Sequence, residues 1–180
     1  MLIALVPALA SLSFSHTVLF LMLGTLFYAW AESMRYLGFY PPIISKVTAA
    51  VLRKREEGRF ALAPVTLGLG SLLALTLFPP QAAAAAIFVL AFGDSVSTLI
   101  GKFFGRLRPS FLSGKSVEGS LACFTVSGLI FFLAFHEWRM AIAAATVSTV
   151  AEALPFRDFD NLILPLAAGL CGTLYLNFTL

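Results

Sequence analysis

The sequence predicts an all-α fold, a polytopic transmembrane helix bundle of about six spans. Hydrophobic residues make up 59% of the 180-residue chain, charged residues only 12%, and mean hydropathy is +0.93. A soluble domain carries about 25% charged residues, and a disordered one lacks this apolar content. The apolar residues also fall in runs close to the ~20 residues that cross a bilayer as a helix, where the backbone satisfies itself. The length is that of one domain, so residues 1–180 are read as a single integral membrane unit.

The first 31 residues contain no Lys, Arg, Asp or Glu. Within them Met1–Ser13 is a half-helix, or one end of a tilted helix reaching Trp30. Ala8-Leu9-Ala10 has the look of a cleavage site, but no basic segment precedes it and the apolar run continues past it, which argues against a secretory signal. Five further apolar runs follow: 60–78, 81–100, 121–135, 140–154 and 162–178. Pro79-Pro80 forces a turn between the first two. His136-Glu137-Trp138-Arg139 is a polar turn between the third and fourth, and Pro155 ends the fourth. The two 15-residue runs, 121–135 and 140–154, call for tilt or a locally thinned bilayer.

Charge separates the connections. Residues 32–59 hold Arg35, Lys46, Arg53, Lys54, Arg55 and Arg59; residues 102–115 hold Lys102, Arg106, Arg108 and Lys115; Arg157 follows Pro155. These are 11 of the 12 basic residues, and all fall on one side of the expected spans. The positive-inside rule makes that side cytoplasmic, in a multi-pass protein of the cell membrane. Eight of the nine acids lie at or near the same face, Glu137 being the exception. Cys123 and Cys171 sit in apolar runs and read as buried thiols, His16 and His136 are isolated, and the basic residues lack the aromatic interleaving of a nucleic-acid surface. Six short spans are compatible with a homodimer.

Asp94 lies inside an otherwise apolar helix. An ionised carboxylate in lipid is costly unless paired or coordinated, so it is a functional candidate. A regular helix places Asp94, Thr98, Gly101 and Gly105 on one stripe flanked by Lys102. Gly101 and Gly105 also form a G-x-x-x-G pair suited to helix packing. A second cluster is Ser113-Gly114-Lys115-Ser116-Val117-Glu118-Gly119-Ser120. Pro109 stands where a P-loop needs its first glycine, so this is not a Walker site. Small residues, Lys115 and a following helix start nevertheless suit an anion such as a nucleotide phosphate, with Arg106 and Arg108 nearby. A solvated basic loop at the lipid headgroups is the plainer reading. The third cluster is Glu152 with Asp158-Phe159-Asp160-Asn161. Such a set can hold Mg²⁺, which takes a few carboxylates plus substrate phosphates, or can cap a helix.

These elements resemble a known family. Gly93-Asp94-Ser95-Val96-Ser97-Thr98-Leu99-Ile100-Gly101-Lys102-Phe103-Phe104-Gly105 resembles the signature G-D-x-x-[AS]-x-x-x-G-x-x-[FY]-G. Gly114-Lys115-Ser116-Val117-Glu118-Gly119-Ser120 resembles G-K-[ST]-x-E-G-S, and Glu152 with Asp160-Asn161 and Pro165 resembles E…D-N-x-x-x-P. A weaker match runs from Glu32-x-x-Arg35 through Arg53-x-x-Glu56. The family is the CTP-dependent lipid-alcohol kinases (dolichol kinase, phytol kinase and the CTP-using diacylglycerol kinase), related to the phosphatidate cytidylyltransferases. Members often read Asp-Asp-Asn where this chain has Phe159-Asp160-Asn161, and often carry an R-K-x-x-H element not found here.

The resemblance implies a catalytic unit, with signature region 93–165, that moves the γ-phosphoryl group of CTP to the hydroxyl of a polyprenol, phytol, geranylgeraniol or diacylglycerol in the bilayer. It implies Asp94, Lys115 and Glu118 as catalytic residues, Glu118 binding metal or orienting Lys115. Lys102, Arg106, Gly114, Lys115, Ser116, Gly119 and Ser120 would hold nucleotide phosphates. Asp94, Glu152, Asp160 and Asn161 would hold Mg²⁺. Joining CTP to phosphatidate is the alternative enzyme; its motif tends toward S-P-K-K-T-x-E-G-x-x-G-G, whereas Ser120-Leu121-Ala122 follows the glycine here. A small transporter would spread acids across the bilayer, unlike the one-sided clustering seen.

Overall fold

The computed structural model describes residues 2–39, 60–109, 112, 114–154 and 159–179. Lys46, Arg53, Lys54, Arg55, Glu56, Glu57, Arg59, Ser113, Pro155, Arg157 and Asp158 lie outside them. Among the described residues every regular element is helical. A 3₁₀ turn, Leu2–Leu5, leads into α1 (Val6–Leu12), and extended Ser13 separates it from α2 (Phe14–Tyr36). The N-terminal half-helix is thus an element of its own. Next come α3 (Ala63–Leu77), α4 (Pro80–Phe103), α5 (Val117–Phe135), α6 (Trp138–Ala153) and α7 (Asp160–Thr179).

Helices α2, α4, α5 and α7 are long and apolar enough to cross a membrane. The other two expected runs form α3 and α6, of 15 and 16 residues. The run expected at 121–135 begins earlier, at Val117, because Ser116 caps the helix: its Oγ accepts the Gly119 N–H at 3.1 Å. At the other end His136, in the left-handed region at φ 53°, stops α5 before the turn into α6.

The core is small-residue packing. Ala82, Ala83, Ala85 and Ala86 of α4 are buried against α5 and α7, with Phe131, Ala144, Leu164 and Ala168. The contact of α3 with α7 has a specific cause. Pro165, inside α7, has no N–H to offer the Asn161 carbonyl one turn earlier. Gly70 of α3 brings its bare backbone against that carbonyl, in the space a Cβ would fill. Asn161 Nδ2 also donates to the Ala63 carbonyl at 3.2 Å, tying the starts of both helices.

In α4, residues Val89–Gly93 form a π-helical turn directly before Asp94. A π turn holds an extra residue and so rotates the rest of the helix about its axis. Asp94–Phe103 is itself a regular α-helix, so Asp94, Thr98 and Gly101 share a face as expected, but Gly105 lies beyond the helix, Thr98 is exposed, and Ser97, 4% exposed, is the residue that turns inward.

Candidate active site at one end of the bundle

The alternation of α2 to α7 brings the C-terminal ends of α2, α4 and α6 to the same end as the N-terminal ends of α3, α5 and α7. Side-chain bonds confirm this. Glu32, fully buried, accepts both Arg35 Nε (2.8 Å) and Nη2 (2.6 Å) and the Ala61 N–H at 2.7 Å, joining α2 to the start of α3. The described acids other than Glu137 therefore share one end, with Lys102, Arg106, Arg108 and Lys115.

Lys115 is central. Its Nζ lies 2.7 Å from Asp160 Oδ2 and 3.4 Å from Glu152 Oε1, and it donates to the main-chain carbonyl of Glu152. That carbonyl belongs to the last turn of α6, where helix carbonyls have no intrahelical donor. Lys115 thus meets two carboxylates and the negative end of a helix dipole. Glu152, 4% exposed, accepts Ser97 Oγ on Oε1 (2.9 Å) and Ser120 Oγ on Oε2 (3.2 Å). Asp94, half-buried, opens the α-helical part of α4 one turn before Ser97, and both Asp94 and Glu152 are within electrostatic reach of the Cys123 thiol. Ser97 is a site residue that sequence reasoning missed; the available signal was a serine three residues after Asp94.

The loop between α4 and α5 folds onto itself. Glu118 Oε1 accepts the N–H groups of Arg106 (2.9 Å) and Leu107 (3.2 Å), and the Val117 N–H reaches the Leu107 carbonyl at 3.0 Å. Arg108 donates to the carbonyls of Gly101 (2.6 Å) and Gly114 (2.8 Å), closing the C-terminal end of α4 over the loop. Gly114 takes φ 93°, a left-handed conformation that favours glycine.

The expected site residues therefore separate. Lys115, Ser120, Glu152 and Asp160 come to one junction, and Asp94 lies on α4 one turn before the Ser97 that bonds Glu152. Glu118 touches the loop backbone; its hydrogen bonds orient Arg106 and Leu107 rather than Lys115. Ser116 is 3% exposed and engaged as a cap, and a Cβ on Gly119 would stand 2.9 Å from the Ser97 carbonyl, so both serve the α4–α5 contact. Asn161 spends its amide on α3. Lys102 and Arg106 are exposed, and Lys102 Nζ lies 5.7 Å from the Phe103 ring centre.

Among the described residues no three His, Cys, Asp or Glu side chains stand together at metal-holding distances. The donor chemistry at the junction still fits Mg²⁺, which is usually held by one or two carboxylates plus the phosphates of its substrate. Asp94 and Asp160, the latter already paired with Lys115, are the carboxylates that would hold it, while Glu152 has both oxygens on serine hydroxyls.

Comparison with known proteins adds three relatives. The chain is 32% identical over 128 residues to an uncharacterized protein of Methanocaldococcus jannaschii, covering 71% of this chain and 64% of that one. It is 32% identical over 93 residues to the CTP-dependent diacylglycerol kinase 1 of Eremothecium gossypii, 52% of this chain and 29% of the kinase. It is 28% identical over 100 residues to the Saccharomyces cerevisiae enzyme of the same name, 56% of this chain and 34% of the kinase. The chain thus spans under two thirds of the length of each. No family model and no solved structure matches it.

Proposed function

We propose that the protein is a membrane kinase that transfers the γ-phosphoryl group of CTP to the hydroxyl of a lipid alcohol, with diacylglycerol the foremost acceptor. The observation that carries the reading is the Lys115–Glu152–Asp160 junction, with Asp94 one turn from the Ser97 that bonds Glu152, in a chain that shares about half its length with two CTP-dependent diacylglycerol kinases. Phosphoryl transfer asks a protein mainly for positioning and charge neutralisation, and the junction contains groups for both. Polyprenols, phytol and geranylgeraniol are further acceptors of the same chemistry.

Lys115 meets the negative charge of the transferring phosphoryl group. Bound Mg²⁺, held by Asp94 and Asp160, would neutralise charge on the triphosphate. The lipid hydroxyl oxygen forms the new bond to the γ-phosphorus, the bond to the β–γ bridging oxygen breaks, and CDP leaves. Asp94 takes the hydroxyl proton. Arg106 and Lys102, exposed beside the junction, attract the nucleotide from solvent. The cytoplasmic face of the cell membrane suits the site, since CTP is supplied there and a lipid hydroxyl rests at headgroup depth.

The test is transfer of label from γ-labelled CTP to lipid by purified protein with Mg²⁺, across a panel of lipid alcohols. Label in an organic-soluble product, lost in Asp94→Asn, supports the reading. Pyrophosphate release with phosphatidate in place of lipid labelling would replace it with the cytidylyltransferase reaction. Substrate flux without nucleotide turnover would indicate a transporter.

A further inference from the structure

We propose that Glu152 is a positioning residue for Lys115, itself held by Ser97 and Ser120, and is not a ligand of the divalent metal. The inference rests on the kinase reading and assigns a different role to one of the acids in it.

An ionised carboxylate offers about four acceptor sites. In Glu152, Oε1 takes the Ser97 hydroxyl at 2.9 Å and faces the Lys115 ammonium at 3.4 Å, while Oε2 takes the Ser120 hydroxyl at 3.2 Å. The residue is 4% exposed. A carboxylate this deep is tolerated only when paired and hydrogen-bonded, and here protein groups supply both. The donors come from different places: Ser97 from α4, Ser120 from α5, Lys115 from the loop before α5. Glu152 is therefore the point where three helices and the lysine-bearing loop are referenced to one another. Lys115 is gripped twice by this residue, at the carboxylate and at the main-chain carbonyl. Such a grip fixes an ammonium in space, as charge stabilisation of a transferring group requires.

The role separates from metal ligation by experiment. Glu152→Gln, Ser97→Ala, Ser120→Ala and the double serine variant are compared with wild type and Asp94→Asn in the full chain. The rate with CTP and diacylglycerol is followed against Mg²⁺ concentration. Bound Mn²⁺ is counted by electron paramagnetic resonance in the presence of CTP. Reaction of Lys115 with an amine-modifying reagent is measured by mass spectrometry, with Lys102 as internal standard.

The expected result is a kcat lower by about 10- to 100-fold in Glu152→Gln and the double serine variant. The Mg²⁺ requirement and Mn²⁺ binding stay at the wild-type level, and Lys115 becomes more reactive while Lys102 does not. Loss of Mn²⁺ binding in Glu152→Gln to the degree seen in Asp94→Asn would overturn the proposal. So would unchanged Lys115 reactivity in the double serine variant, which serves even if Glu152→Gln fails to fold. Absence of turnover by wild type on every lipid would sink the kinase reading alone, since lysine reactivity reports on the positioning without it.

Discussion

Glu118 Oε1 accepts the backbone N–H of Arg106 at 2.9 Å, so a carboxylate in the first turn of α5 holds the chain that leaves α4. The same oxygen takes the Leu107 N–H, and the negative charge is favoured by the positive end of the α5 dipole. Glu118 therefore fixes the loop that carries Arg106, Arg108 and Lys115, and need not touch substrate to matter.

The first prediction comes from that geometry. Glu118→Gln keeps an oxygen that accepts both amides, so it should retain a measurable rate and weaken chiefly the KM for CTP. Glu118→Ala releases both N–H groups and should lower kcat/KM by about 100-fold. Steady-state kinetics on the two variants checks the order. Equal and complete loss in both would instead mark Glu118 as a group acting on the reacting atoms.

Lys115 gives the second. Lys115→Ala leaves the Glu152 carboxylate buried beside Asp160 without the ammonium. The lysine side chain is 26% exposed, so water screens part of the loss, and a cost of about 1–3 kcal/mol is expected. The thermal midpoint in detergent should fall, and lipid labelling should drop by at least about 100-fold. Lys115→Arg should restore the midpoint more fully than the rate, because a planar guanidinium cannot occupy the same point.

The third concerns the close contact of α4 with α5. A Cβ on Gly119 would meet the Ser97 carbonyl at 2.9 Å and Ser116 Oγ at 3.1 Å. Backbone cannot swing aside, so Gly119→Ala must push the helices apart and draw Ser97 from Glu152, at about 1–3 kcal/mol. Gly24 of α2 has nothing within 4 Å of the same position. Gly24→Ala should leave the midpoint unchanged or raise it, since alanine stiffens a helix. Melting curves of the two variants decide it.

The same contact explains why some features were legible in the sequence and others were not. The Pro79-Pro80 break, the polar turn at His136–Arg139 and the grouping of acids at one end come from residue type and order, and the helices lie where those features place them. The face of α4 was not legible. The π turn Val89–Gly93 rotates the remainder of that helix, so Ser97 faces Glu152 and Thr98 faces outward. Period-3.6 counting groups residues 94–103 on faces correctly, since that stretch is a regular α-helix, but it does not say which face meets α6 once the turn has rotated them together. Long-range bonds from side chain to backbone, such as Glu118 to Arg106 or Lys115 to the Glu152 carbonyl, leave no periodic trace at all. Motif resemblance marks Ser116, Gly119 and Asn161 as binding residues, whereas their geometry serves helix capping and packing.

Asn161 supplies the last prediction, because its two readings demand opposite outcomes. As a metal ligand it should tolerate Asn161→Asp, since a carboxylate binds Mg²⁺ at least as well as an amide oxygen. As the tie between α7 and α3 it should not. Its Nδ2 donates to the Ala63 carbonyl and lies 3.5 Å from Thr66 Oγ1. A carboxylate in that place sets negative charge against a carbonyl oxygen, while Asn161→Ala merely removes one hydrogen bond, worth about 1 kcal/mol. Asn161→Asp should therefore melt lower than Asn161→Ala and be no more active. Since Asp160 directly precedes it, the displacement should also reach Lys115 and show as a lower kcat in both variants. A rate for Asn161→Asp near wild type, with Asn161→Ala inactive, would return the residue to the metal.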